Sequence, residues 1–247
     1  MNGSIIRKIL GYVLILESGL LLLPSLVALI YKESVGKFYI GCAALTFLCG
    51  LLLAVKKAKN TVFYLKEGCV ATALSWILLS FFGALPFYFS GEIPSLVDAM
   101  FETVSGFTTT GSSILADVES LSHAAIFWRS FTHWIGGMGV LVFLLAVVQM
   151  SGGSSINLMK SESPGPSVGK LVPKMKYTAR ILYFIYLALT VLEVIFLVCG
   201  DMPLFDALAT SFGTAGTGGF GIKNDSMGGY STYIQWTVTV FMLLFGV

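Results

Sequence analysis

Long apolar runs separated by short polar segments dominate the chain. Five are long enough to cross a bilayer as helices, which takes about 20 apolar residues, and a sixth is still apolar where the sequence stops. They lie at roughly 9–31, 38–55, 68–90, 123–150, 179–200 and 230–247. The pattern predicts an all-α membrane protein with about six spanning helices. Because an unpaired carboxylate at bilayer depth is costly, we expect the last helix to be truncated and the chain to belong to a longer protein.

Composition supports membrane residence. Of 247 residues, 56% are hydrophobic and only 11% are charged, which leaves too little polar surface for a soluble domain of this size. No small-residue cleavage site follows the basic start, so the first run is predicted to be a retained helix and not a signal peptide. The cysteines lack metal-ligand spacing and predict buried, reduced thiols. They are Cys42, Cys49, Cys69 and Cys199.

The basic residues alternate between successive connections. Eleven of the 15 Lys and Arg lie in the N-terminal tail and in segments 56–67 and 151–180, while the other connections hold most of the acids. By the positive-inside rule, the N-terminus is predicted to be cytoplasmic, and 90–122 and 201–229 to lie outside. The Pro- and Lys-containing stretch 151–176 is predicted to contact a cytoplasmic regulatory partner or, equally, to anchor on anionic lipid.

The two outer connections share an unusual design. Each holds a short apolar stretch led by an aspartate, too short to span, followed by a Gly/Thr-rich run. Such a half-length helix with a flexible segment, placed between spanning helices, is typical of a re-entrant pore loop. The stretches are Asp98–Ser105 and Asp206–Ser211, and the Gly/Thr runs are Gly106–Ser112 and Gly213–Phe220.

These features form an internal repeat of about 107 residues. Aligning Gly106 with Gly213 pairs Gly111 with Gly218, whereas aligning the two aspartates pairs Gly111 with Gly219, so the register stays open by one residue. We divide the chain into four parts. They are two extra N-terminal helices (1–60), a first helix–pore-loop–helix unit (61–150), a cytoplasmic linker (151–178) and an incomplete second unit (179–247).

The Gly/Thr runs have the chemistry of a cation filter. A cation crossing the membrane exchanges water for protein oxygens, which inward-pointing backbone carbonyls supply. Glycine permits the positive-φ backbone that this needs. Ordinary surface loops and a phosphate-binding loop are the alternatives, although the Gly-Lys-Ser/Thr ending of the latter is absent. A membrane enzyme or an anion-binding protein using these loops is the competing function, but no nucleophile–base pair or metal cluster supports it.

Several polar residues lie within apolar surroundings. Arg129 is predicted either to pair with a pore-helix acid such as Glu102 and brace the filter, or to reach lipid headgroups. His133, one turn further along the same helix face, is predicted to be packed and hydrogen-bonded and not a proton carrier. Glu17 and Glu193 are intramembrane carboxylates and therefore functional candidates, or neutral groups bonded to a neighbouring helix.

Three motifs of the chain are distinctive: Phe101–Ser112, Phe127–Gly139 and Ser211–Phe220. Together they resemble the Trk/Ktr potassium-transporter family, and the two extra N-terminal helices resemble its TrkH/TrkG branch. The resemblance covers essentially the whole chain. Proteins of this family carry four pore-loop units around one pore, so the resemblance implies that this chain is the N-terminal half of such a membrane subunit.

The resemblance implies a potassium uptake protein, not an enzyme, in the bacterial inner membrane. The resemblance also implies that the protein needs no covalent cofactor and that K⁺ is the transported ion. A homodimer and a TrkA-like cytoplasmic nucleotide-binding subunit are the implied partners, together with the bilayer and without nucleic acid. Arg129 and Glu102 are expected to support the filter. The expected filter residues are Thr109, Thr110, Gly111, Thr217, Gly218 and Gly219.

Overall fold

A computed structural model describes residues 3–55, 65–139 and 175–246, and every regular element within these ranges is an α-helix. In chain order the helices are α1 (Gly3–Leu20), α2 (Leu22–Ile30), α3 (Gly36–Ala54), α4 (Leu65–Ser90), α5 (Leu96–Phe107), α6 (His123–Met138), α7 (Met175–Cys199), α8 (Leu204–Ala215) and α9 (Thr232–Gly246). Two half-length helices lie among the longer ones: α5 packs against α4 and α6, and α8 packs against α6, α7 and α9.

The spanning helices agree with the apolar runs. In the described ranges, four stretches are long and apolar enough to cross a membrane: α1 with α2 taken together, α3, α4 and most of α7. The fourth predicted span, 123–150, is described as α6 up to Met138, and its remainder lies outside the described residues, as does the predicted linker up to residue 174. α9 is a shorter apolar helix.

The extra N-terminal helices form a tight hairpin. A methyl group added at Gly11 of α1 would lie 2.7 Å from the backbone nitrogen of Ala54 in α3, and one at Gly50 would lie 2.9 Å from the carbonyl oxygen of Gly11. Two helices approach this closely only where side chains are absent, as is common in membrane helix pairs. α1 also packs against α4, which fixes the hairpin to the first pore-loop unit.

The half-length helices begin slightly earlier than the sequence suggested. In α5 the N-cap is Ser95, whose hydroxyl oxygen accepts a hydrogen bond from the Asp98 N–H at 3.3 Å. Asp98 therefore lies in the first turn, where its charge favours the helix dipole. Asp206 holds the same position in α8, and the hydroxyl of Tyr230 donates to its carboxylate at 3.0 Å.

Side chains from three places hold the start of α6. The N–H groups at its first turn have no partner within the helix. The Ser122 N–H donates to Glu92 at 2.7 Å, and the Ala125 N–H donates to the Ser122 hydroxyl. Glu33, from the connection between α2 and α3, accepts from the N–H groups of His123 and Ala124 at 2.8 and 3.1 Å. The extra hairpin therefore helps to set the position of α6.

Burial does not follow hydrophobicity here. Large apolar residues of α3, α7 and α9 face outward, with Leu52 74%, Phe184 73% and Leu243 68% exposed. Among the cysteines, all free thiols, Cys42 is buried but Cys69 and Cys199 are exposed, so the prediction of buried thiols was wrong for these two. The physical reason is that a bilayer removes the need to bury an apolar side chain within the protein.

Candidate functional site

Each half-length helix ends in a short segment of unusual backbone conformation. After α5, φ changes from −81° at Thr108 to +54° at Thr109 and reaches +76° at Gly111. After α8, the corresponding values are −75° at Gly216, +55° at Thr217 and +75° at Gly219. A β-branched residue with positive φ is a genuine outlier, and such strain persists at functional sites. The same backbone outlier at the same place in both loops indicates that the two segments serve the same function.

The backbone also gives the register that the sequence left open. Thr109 corresponds to Thr217 and Gly111 to Gly219, a spacing of 108 residues. Asp98 and Asp206 have the same spacing. Gly111 therefore corresponds to Gly219 by conformation, and the alignment on Gly106 and Gly213 is one residue out of step.

Most backbone N–H groups of both segments are already bonded; those of Gly111 and Gly218 are the exceptions among the described residues. Thr108, Thr109 and Thr110 donate to carbonyl oxygens of α5 at 2.9–3.0 Å. In the second segment, the N–H groups of Gly216, Thr217 and Gly219 donate to carbonyl oxygens of α8 at 2.8–3.3 Å. Among the described residues, no donor reaches the carbonyl oxygens of 109–111 or 217–219. Because backbone polar groups at membrane depth need partners, the segments offer acceptors and few donors.

The two segments lie side by side. A methyl group added at Gly111 would collide with the carbonyl oxygen of Gly218, and one at Gly218 would lie 2.9 Å from the carbonyl oxygen of Thr109. The threonine hydroxyls add further oxygens, with Thr108 and Thr110 2.8 Å apart. Backbone from the two units therefore forms one continuous oxygen-rich surface, onto which the negative C-terminal ends of α5 and α8 are directed.

A buried ion pair links the residues that directly follow the first segment to those that directly follow the second. Arg129 and Glu102 are 3% and 0% exposed, and the Arg129 Nε donates to Glu102 at 2.5 Å. Glu102 also accepts from the Ser113 hydroxyl and the Ile114 N–H at 2.9 and 3.0 Å. Arg129 donates to the Gly221 carbonyl oxygen at 2.7 Å. Of the two predicted roles for Arg129, the ion pair is therefore present, and the burial of the side chain removes it from headgroups.

α6 lies directly behind both segments because its glycines remove the side chains that would keep it away. A methyl group at Gly136 would collide with the carbonyl oxygen of Phe107, and one at Gly137 would lie 2.8 Å from the Cα of Gly216. Gly139, with φ of +66°, ends the helix. These glycines therefore bring the helix backbone into contact with the end of each half-length helix.

The predicted filter residues lie together at this surface, partly open to their surroundings, while Glu102 and Arg129 lie behind it. Glu17 and Glu193 are fully buried and lie outside this surface. Glu193 interacts with the Thr214 side chain of α8, whereas Glu17 has no hydrogen-bond partner among the described residues. Sequence reasoning did not find Ser113, nor the role of Phe220. The described residues contain no group of three His, Cys, Asp or Glu side chains with metal-binding geometry.

Apolar helices of spanning length, with two half-length helices that end in paired carbonyl-rich segments, define a multi-pass membrane protein built from helix–pore-loop–helix units. Residues 35–247 match the family described as TrkH, a cation transport protein. The chain belongs to this family.

Named relatives agree with this membership. The chain is 37% identical to the Trk system potassium uptake protein TrkH of Salmonella typhimurium, over 100% of the chain and 52% of that protein. It is 34% identical to the uptake protein TrkG of Escherichia coli, over 95% of the chain and 50% of that protein. The crystal structure of the potassium transporter TrkH from Vibrio parahaemolyticus superimposes with a TM-score of 0.82 at 31% identity, over 99% of this chain and 50% of that one. The chain thus spans about half the length of the relatives that it matches.

Proposed function

We propose that the chain forms part of a pore that takes up potassium across the cytoplasmic membrane of a bacterium. The observation that carries the proposal is the hydrogen bonding of the two segments. Most of their N–H groups are bonded, and their carbonyl oxygens are free to replace the water around a cation. The names of the relatives, which are potassium uptake proteins, supply the identity of the ion. The proposed ion-contacting residues are Thr109, Thr110, Gly111, Thr217, Gly218 and Gly219.

The same arrangement argues against the competing function of anion binding. An anion needs convergent N–H donors, as at the N-terminus of a helix. Here the segments follow helix C-termini, whose partial charge is negative, and most of the backbone donors of the segments are occupied. In this proposal, the ion pair of Glu102 and Arg129 fixes the distance between the two segments.

The wider organisation is proposed on the family resemblance and on the phrase "Trk system" in the relatives' names. Two further pore-loop units in the full-length protein complete a ring of four segments. The protein is proposed to be a homodimer with its N-terminus in the cytoplasm. A nucleotide-binding regulatory subunit is proposed to bind on the cytoplasmic side, where the basic linker 151–178 is predicted to be.

Growth and flux measurements test this function. The full-length protein is expressed in a bacterial strain that lacks potassium uptake, and growth is followed at low external potassium, with an empty vector as the control. The purified protein in liposomes is then assayed for flux of potassium, rubidium and sodium. We expect restored growth and a larger flux of potassium and rubidium than of sodium. Absence of both growth and flux would refute the proposal.

A further inference from the structure

His133 occupies a position that the support role of the ion pair does not explain. It is 0% exposed, and neither ring nitrogen has a hydrogen-bond partner among the described residues. The predicted burial is correct. The ring interacts with the backbone of Ser105, but this contact lacks the geometry of the predicted hydrogen bond. Burying a polar ring without hydrogen-bond partners costs free energy. The contacts of the ring therefore indicate what the histidine does at this position.

The imidazole touches the second filter segment. A methyl group at Gly218 would lie 2.6 Å from His133 Nε2, so the ring edge rests against the backbone of a proposed ion-contacting residue. The ring also stacks on Phe220, with centroids 4.0 Å apart and an angle of 17° between the planes. His133 belongs to the first unit, whereas Gly218 and Phe220 belong to the second.

Phe220 is held on both faces. The guanidinium carbon of Arg129 lies 3.7 Å from the centre of the same ring. A guanidinium and an imidazole that are both within about 4 Å of one ring centre would overlap if they shared a face. They therefore lie on opposite faces, and the side chain of Phe220, 3% exposed, is enclosed between two residues one helical turn apart on α6.

We propose that His133 is a positioning residue for ion selectivity, fixing the second filter segment by contact with Gly218 and by enclosing Phe220 against Arg129. This proposal rests on the function proposed above. Phe220 directly follows Gly219, so an enclosed Phe220 limits how far the segment can widen. Widening matters because the distance between the carbonyl oxygens decides which cation replaces its water shell at least cost.

The test is a double-mutant cycle on the full-length protein in liposomes, read as the potassium-to-sodium flux ratio. His133→Ala and Phe220→Ala are each expected to lower the ratio by about 2- to 100-fold, the range that interaction energies between contacting residues span. The double variant should lower it no further than the stronger single variant, because both changes remove the same contact. His133→Phe keeps a flat stacking ring and should retain most of the ratio.

His123, the other histidine of α6, is the matched control. It lies at the opposite end of the helix, 46% exposed, and His123→Ala should leave the ratio unchanged. Thermal unfolding of each variant separates loss of selectivity from loss of fold. An unchanged flux ratio in folded His133→Ala would overturn the positioning role, and so would an equal loss in His133→Ala and His133→Phe or fully independent effects in the cycle. If the unaltered protein carries no potassium, the proposed function itself has failed.

Discussion

At the scale of single residues, conformation is more informative than composition. Glycine and threonine are common in loops of every kind, but a threonine with φ near +55° is rare, and it occurs here at both Thr109 and Thr217. Sequence alone could propose these residues and could not fix their pairing, because Gly106 and Gly213 offer a plausible alignment in the wrong register. The backbone conformation gives the pairing, because Thr109 and Thr217 share one positive φ and Gly111 and Gly219 share another.

Gly111→Ser should lower the preference for potassium over sodium without unfolding the protein. Positive φ at Gly111 strains any side chain, by about 1–3 kcal/mol, and a serine there would push the Gly218 carbonyl oxygen away. The matched control is Gly91→Ser, because Gly91 has φ of +80° but nothing within 4 Å of an added Cβ. The flux ratio in liposomes measures the effect. Equal ratios for the two variants would remove Gly111 from the filter.

Glu102→Gln and Arg129→Gln should each destabilise the fold. Each change leaves one buried charge without its partner, which costs about 3–5 kcal/mol. The variant with both changes should be more stable than the two single effects added together predict, because no lone charge remains. Thermal unfolding of the full-length protein in detergent measures all three. Additive losses would mean that the pair contributes nothing as a pair.

At the scale of elements, the sequence predicted the spanning helices and several of their bounds. The predicted ends at 31, 55, 90 and 200 lie within one residue of the ends of α2, α3, α4 and α7, and the predicted start at 123 is the first residue of α6. The aspartates located the starts of α5 and α8 to within two residues. The caps of α6 could not be derived, since they come from Glu33 and Glu92, which lie 90 and 30 residues away. Contacts of that separation depend on the path of the whole chain. The enclosure of Phe220 by α6 was missed for the same reason.

Glu33→Ala should loosen the attachment of the extra hairpin to α6. The carboxylate accepts two backbone N–H groups at a helix N-terminus, and loss of such a cap costs about 0.5–2 kcal/mol. Glu33→Gln keeps one acceptor oxygen and should cost less. Hydrogen exchange at His123 and Ala124, together with the unfolding temperature, reports the change. Exchange that is unaltered in Glu33→Ala would show that solvent caps this helix equally well.

At the scale of the whole molecule, the two units repeat in backbone but not in charge. A spacing of 108 residues places Thr210 and Thr237 where the first unit has Glu102 and Arg129. Thr237 bonds within its own helix, and the Thr210 hydroxyl is buried without a partner among the described residues. Asn224 joins the loops that follow the two filter segments, because its side chain contacts Val118 and Asp117. Among the described residues, the buried ion pair that supports these loops is therefore supplied by the first unit.

Thiol labelling tests the orientation of the whole chain. In a cysteine-free background, Ala116→Cys lies in the loop predicted to face outward, and Lys57→Cys lies in the segment predicted to be cytoplasmic by its basic residues. A membrane-impermeant maleimide added to intact cells should label the first and not the second, and permeabilised cells should label both. Labelling of only Lys57→Cys in intact cells would mean that the orientation is reversed.

The ion pair between Glu102 and Arg129 has a consequence for how this protein can change over generations. One substitution would leave a bare charge inside the membrane, so a lineage can lose either residue only by passing through a damaged intermediate or by replacing both together. Related sequences should accordingly hold both residues or neither. The same constraint applies to Phe220 and Gly221, because Arg129 packs on the ring of Phe220 and donates to the carbonyl oxygen of Gly221. An inherited change at one of these four positions predicts where to look for its compensating partner.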